Sequence, residues 1–268
     1  MANPKRDPIT DKDLAEFVAN DSDFAFEMKV VAQLKSVNFE CSHSGTYQDP
    51  VTDKIRQFDV RARKHKDSWV LALAVECKNL RPDSPLLLSC VPRTAEEAHH
   101  DIIVQRLNNP LLKNVYRIGG DRSVYKPGEM VGKKTDQVRR DKNSGLISDD
   151  KETFDKLNQA VNSCRDLVRQ LVNSSEPELC GVVVPVLVVP KNTLWRVEYA
   201  ADGRLLRDPQ TVPHASLLLN HTWSIDRPTS YGIISYCLSH LELMTIDALP
   251  GIVNGWLGLY GLFQGFQS

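Results

Sequence analysis

Little in this chain is one-sided. Its net charge is -1 over 268 residues, so no global field draws it to nucleic acid and any basic surface has to be local. None of the six cysteines sits in a C-x-x-C pair; Cys41, Cys77, Cys90, Cys164, Cys180 and Cys237 are scattered. That argues against a zinc knuckle or a disulfide framework and favours a reducing compartment, expected to be cytoplasmic. The opening Met1-Ala2-Asn3-Pro4-Lys5-Arg6-Asp7-Pro8 has no apolar core behind its charges, so a secretory signal is not expected. Internal repeats and low-complexity tracts are lacking. Gly132-Lys133-Lys134-Thr135 lacks the upstream glycine and the G-K-[ST] order of a phosphate-binding loop, which argues against an NTPase. The apolar stretch from Met244 to Phe263 is interrupted by Asp247, Pro250, Asn254 and several glycines. A spanning helix needs about 20 predominantly apolar residues, so a buried helical hairpin or an oligomer contact is the better reading.

What is present is an ordinary globular composition, 41% apolar and 25% charged, enough for one large domain with an elaborate extension. A polar arm covers residues 1–20. A helix follows from Asp21 or Ser22 to Ser36, with Phe24, Val30, Val31, Leu34 and Val37 on one face and Glu27 near its centre. A carboxylate there has to find a partner or shift its pKa. Three strand-like runs come next: Phe39 to Tyr47, Ile55 to Lys64, and Trp69 to Cys77, the last apolar on both faces as in a doubly covered strand. Thr94-Ala95-Glu96-Glu97 carries a capping-box signature and predicts a helix to about Leu107. Residues 108–149 show little periodicity and read as a long, partly mobile insertion. A long amphipathic helix is predicted from Asp150 to Asn173, then a buried strand from Leu179 to Val189 with an irregularity at Pro185. Leu194 to Leu206 reads as a hairpin, Ser216 to Ile225 as a strand and Tyr231 to Ala248 as a helix. The order gives an α/β domain with a mixed sheet: a core over residues 21–190 and a C-terminal extension over 191–268 packed on it.

The chemistry concentrates at Phe58-Asp59 and Val75-Glu76-Cys77-Lys78. Strand side chains alternate, so Glu76 and Lys78 share a face and Cys77 points away, as a core thiol. A turn at Asp67-Ser68 puts Asp59 directly opposite Glu76. Two carboxylates that close destabilise an ordinary sheet, and a divalent cation between them removes the penalty. The set Glu27, Asp59, Glu76-x-Lys78 resembles the PD-(D/E)xK superfamily, the restriction-endonuclease-like nucleases. Phe58 stands where a proline often precedes the aspartate. The resemblance covers residues 20–80, with Asp150 to Val189 as the helix and strand that complete an αβββαβ core. It implies a metal-dependent phosphodiesterase acting on DNA, in restriction, repair or defence. Asp59, Glu76 and Glu27 would hold Mg²⁺ or Mn²⁺, and Lys78 would position the nucleophile or stabilise developing charge. The plainer alternative pairs Asp59 and Glu76 with Arg61 and Lys78 and leaves Glu27 on a backbone group.

Two basic runs suit a polyanion. Lys54, Arg56, Arg61, Arg63, Lys64 and Lys66 face only Asp59 as an acid over residues 54–66. Lys126, Lys133, Lys134, Arg139, Arg140 and Lys142 outnumber Glu129, Asp136 and Asp141 over residues 126–142. A charged hairpin and a solvated loop would account for both equally well. Adjacent His99 and His100 on a helix would not share a face, so a zinc pair is not expected. A nuclease-like fold used as a nucleic-acid or protein interaction module is the second reading. A membrane-associated or oligomeric effector with its C-terminal helices as the working surface is the third. A homodimer or a partner subunit fits any of them.

Overall fold

In a computed structural model of the chain, the described residues are 7–20, 22–66, 69–106, 109–149, 151–174, 180–226 and 232–260. They form an α/β architecture with a large mixed sheet and four α-helices. Helix α1 (Asp11–Asn20) lies within the stretch expected to be a loose arm. Helix α2 (Phe24–Ser36) buries Phe26, Val30, Val31 and Leu34 and leaves Phe24 exposed. The chain then makes β1 (Glu40–His43), β2 (Thr46–Gln48), β3 (Ile55–Gln57), β4 (Val60–Lys66) and β5 (Trp69–Cys77). Two of the three predicted strands are therefore each broken in two. Ser44-Gly45 interrupts the first and Phe58-Asp59 the second, side by side, with the Phe58 N–H donating to the Gly45 carbonyl at 2.9 Å. Gly45 is required there: a Cβ would lie 2.4 Å from the Phe58 ring.

Helix α3 (Lys151–Asn173) and strand β11 (Cys180–Val189) follow the insertion. The central order is β1-β4-β5-β11, with β1, β4 and β5 antiparallel and β11 parallel to β5. Every residue of β5 and β11 is buried, because the sheet is covered twice. Val70, Ala72 and Ala74 pack on Cys164, Leu167, Val168 and Leu171 of α3. Leu71, Leu73, Val75 and Cys77 pack instead with α2 and with helix α4 (Leu249–Tyr260). Pro185 pairs with Ala74 on the β5 side. On its other side β11 pairs with a neighbour only at 180–181 and again at 186–189, and Pro185, which has no N–H to give, falls in that gap.

The rest departs from the sequence reading. The insertion is ordered: β8 (Asn109–Gly119), β9 (Met130–Arg140) and β10 (Leu146–Ser148) all join the large sheet. The predicted 94–107 helix stops after one turn. Its reciprocal capping bond forms, Thr94 N–H to Glu97 Oε2 at 3.1 Å, but His99 to Arg106 runs on as strand β7 against β8. The segment expected as a helix up to Ala248 is strand β15 (Ile233–Thr245), paired with β14 (His214–Asp226) and β11. In both places the pairing of a whole strand outweighs a local helical signal. Strands β6 (Leu86–Pro92), β12 (Leu194–Tyr199) and β13 (Leu205–Thr211) complete the sheet, the last two as the expected hairpin with Gly203 at positive φ. Only part of the 244–263 stretch is described, as the end of β15 and α4. No helix among the described residues is long and apolar enough to cross a membrane.

Candidate active site

The β4–β5 register pairs Val60 with Val75 and Lys66 with Trp69, and continued by one residue it sets Asp59 opposite Glu76. The turn at residues 67–68 lies outside the described residues. Both carboxylates occupy the sheet face that α3 covers. Asp59 Oδ2 accepts from the Cys77 backbone N–H at 2.8 Å, which fixes the carboxylate against the end of β5. Glu76 is fully buried, and its Oε1 has no hydrogen-bond partner. Burial, and then the Asp59 charge beside it, push the Glu76 pKa well above the ordinary carboxylate value.

The cation at this pair is Lys156, on α3. Its Nζ lies 2.6 Å from Asp59 Oδ2 and 3.3 Å from Glu76 Oε2. Burial works against its charge, but Glu76 and Asp59 more than offset that and push its pKa up. Neither counter-ion of the plainer alternative is used. Arg61 turns toward α3, where it pairs with Asp166 at 2.8 Å, donates to Ser163 Oγ at 3.1 Å and stacks over the Phe58 ring at 4.3 Å. Lys78 pairs with the exposed Glu152 on the first turn of α3. Lys156 carries no local sequence signal. It is one of several charges on an amphipathic helix, and only the packing of α3 over β5 brings it to the pair.

Glu27 is not brought to the pair. Helix α2 covers the face of β5 that carries Val75 and Cys77, whereas Glu76 points to the α3 face. The Glu27 carboxylate is instead 2.7 Å from His43 Nε2 at the end of β1. Among the described residues, no group of three or more His, Cys, Asp or Glu side chains is placed to hold a metal ion. Asp59 and Glu76 nonetheless fit a smaller role. Two adjoining carboxylates, one with an unsatisfied oxygen, are the hard donor set that Mg²⁺ or Mn²⁺ accepts when water and phosphate complete the shell. Cys77 is a core thiol, its pKa raised well above normal by burial and by the neighbouring acids.

Lys156 also lines a groove of about 560 Å³, with Asp23, Lys78, Arg81, Gln137, Asp155 and Gln159 among its other walls, so the groove meets the pair through this lysine and not through the acids themselves. A second hollow of about 460 Å³ shares Arg81, Ser84, Gln137 and Glu152 with it and extends to Arg139, Arg140 and Asp149. The ordered insertion thus supplies one wall, through β9. The basic runs themselves are largely committed. Arg139 pairs with Asp149 at 2.7 Å, Lys134 with Asp136 at 2.6 Å and Lys133 with Glu97, while Arg140 donates to the Ser144 carbonyl at 3.1 Å. Arg56 sits 3.8 Å from Asp49, Arg63 is half-buried and Lys54 is exposed. Of these predicted contacts, Arg139 and Arg140 line the second hollow and none lines the groove itself. His99 and His100, now on a strand, point to opposite faces.

Comparison with known proteins gives no match: no family model, no curated protein and no solved structure is significantly similar to this chain.

Proposed function

We propose that this protein is a divalent-metal-dependent nuclease that hydrolyses phosphodiester bonds, with Asp59 and Glu76 as the metal-holding pair. The observation that carries this reading is the pair itself: two carboxylates at facing register, one of them fully buried, bridged by Lys156, which lines a groove together with Lys78. Support also comes from the order helix, three antiparallel strands, helix, parallel strand, the one that the PD-(D/E)xK resemblance implies. DNA as the substrate rests on that resemblance.

A cation bound by Asp59 and Glu76 would supply charge stabilisation at the phosphoryl group and a more acidic water. The chain's own residues do the rest. Asp59 is oriented by the Cys77 N–H. Lys78, once free of Glu152, reaches into the same groove and can neutralise charge that develops on the phosphate. Arg139 and Arg140 lie farther along, where a second phosphate of the backbone would pass. Purified protein with Mg²⁺ or Mn²⁺ is expected to cut DNA, and Asp59→Ala, Glu76→Ala and Lys78→Ala are each expected to abolish cutting. Undiminished cutting by all three variants overturns the proposal.

A second reading has a specific observation behind it. Lys156 already neutralises the acidic pair, and the described residues hold no third ligand. A nuclease-like fold that binds nucleic acid or protein without cutting would look the same. It would show no Mn²⁺ heat in calorimetry and no cleavage, with binding to DNA that weakens steeply as salt rises.

A further inference from the structure

We propose that Lys156 is an exchangeable counter-cation: its ammonium fills the position between Asp59 and Glu76 that a divalent cation takes, and cation binding drives it out into the groove. The inference rests on the metal-site reading of the pair and adds to it a moving part.

Geometry carries the argument. Lys156 Nζ contacts one oxygen of each carboxylate, at 2.6 and 3.3 Å, so it stands where an ion bridging them would stand. An ammonium and a divalent cation repel each other and compete for the same lone pairs, so they do not share that position. Access points the same way. The side chains of Glu76, Asp59 and Lys156 are 1%, 12% and 20% exposed, and of the three only Lys156 lines the groove, so on the groove side the lysine covers the acids. The residue is suited to leave. It reaches the pair from α3 on a flexible four-carbon stem, as a point charge without a fixed fork. It also lines the groove beside Asp155 and Gln159, where a displaced ammonium stays solvated and lies next to any bound phosphate. A lysine in this role keeps two close carboxylates tolerable in the metal-free protein and makes cation uptake an exchange of charge.

Two measurements on the full-length chain test this, with Mn²⁺ alone as the probe. Calorimetry should show that Lys156→Met binds Mn²⁺ at least about tenfold more tightly than wild type, because no ammonium has to be displaced. In wild type, reductive methylation of Lys156 followed by mass spectrometry should be slow without metal and at least several-fold faster with saturating Mn²⁺. Equal or weaker Mn²⁺ binding by Lys156→Met overturns the proposal, as does labelling that bound Mn²⁺ leaves unchanged. Should Lys156→Met fail to fold, the wild-type labelling decides alone. Absence of Mn²⁺ binding by either protein removes both this inference and the metal-dependent reading. Metal-dependent cleavage with a Lys156 that never becomes reactive removes this inference only.

Discussion

Two fully buried glutamates flank the same strand of this sheet, and the protein treats them in opposite ways. Glu76 on β5 pairs in register with Leu187 of β11, and Glu242 on β15 with Val186, one residue away and facing the other side. Glu242 is satisfied. It accepts from His214 Nε2 at 2.5 Å, Ser216 Oγ at 2.9 Å and Tyr125 Oη at 2.7 Å. Burial works against its charge, yet those partners, His214 foremost, hold its pKa below the usual value. Glu76 has one lysine, a neighbouring acid and an oxygen with no partner, and its pKa is raised. A carboxylate that a fold uses for stability is surrounded by donors. Glu76 has fewer donors and a raised pKa, which is the difference that the proposed metal-holding role turns on.

The sharpest way to break that contrast is to neutralise each glutamate in turn. Glu76→Gln should lower phosphodiester cleavage by about a thousandfold or more while leaving the urea midpoint near wild type, since the amide relieves a buried charge. Glu242→Ala should do the reverse. It strands the donors of three side chains and should cost about 3–5 kcal/mol in urea unfolding. If Glu76→Gln unfolds the protein and Glu242→Ala is silent, the two roles have been assigned the wrong way round.

A second contrast follows from the histidines near Glu242. His240 is stacked on Tyr125 at 3.7 Å between ring centres and receives the Arg93 Nε hydrogen at 3.2 Å, and His100 lies against the same tyrosine. Burial pushes both pKa values down to about 3, helped at His240 by Arg93 and the other histidines against the pull of Glu242, and at His100 by His99 and Lys126. Both are thus neutral when folded and protonate near pH 6.5 when unfolded. The unfolded chain therefore binds more protons between pH 6.5 and 3, so the stability these groups confer is complete above pH 6.5 and is lost as pH falls. Each histidine should shift the folding equilibrium about tenfold per pH unit in that window. Urea midpoints across it should fall less steeply in His240→Asn, by one proton's worth. An unchanged slope would place the acid sensitivity elsewhere.

How much of this was legible in the sequence differs between the same two regions. The Glu76 side was readable because its signals are local: period-2 alternation in β4, a doubly apolar β5, and a short turn that fixes the register. The β15 side was not. Ile233 to Thr245 mixes apolar residues with Ser235, Ser239, His240, Glu242 and Thr245 in no clean period of two, so the pattern does not separate strand from helix, and the partners β11 and β14 decide it. Thr94 to Glu97 made its cap and still gave way to a strand. Within the candidate site, Asp59 and Glu76 met because register is short-range information. Lys156 is 80 residues from Glu76 and depends on how α3 docks, which no spacing rule contains. Glu27 was misjudged for the complementary reason. Its place on the helix was legible, but which face of the sheet α2 covers was not, and the carboxylate goes to His43 instead.

A smaller perturbation tests whether the break at Phe58-Asp59 sets the site. In Gly45→Ala the new methyl would meet the Phe58 ring at 2.4 Å, too close unless the ring moves. Overpacking of this kind costs about 1–3 kcal/mol. Phe58 precedes Asp59 and carries the Arg61 guanidinium on its face, so a shifted ring tilts the carboxylate away from the Cys77 N–H and from Lys156. The variant should therefore lose several-fold in Mn²⁺ affinity along with its stability. The control is Lys134→Ala, which removes a 67%-exposed side chain paired with Asp136 and should change stability by no more than about 0.5 kcal/mol. If Gly45→Ala costs stability yet binds Mn²⁺ like wild type, the Gly45–Phe58 contact belongs to the fold alone, and the position of Asp59 is held by β5.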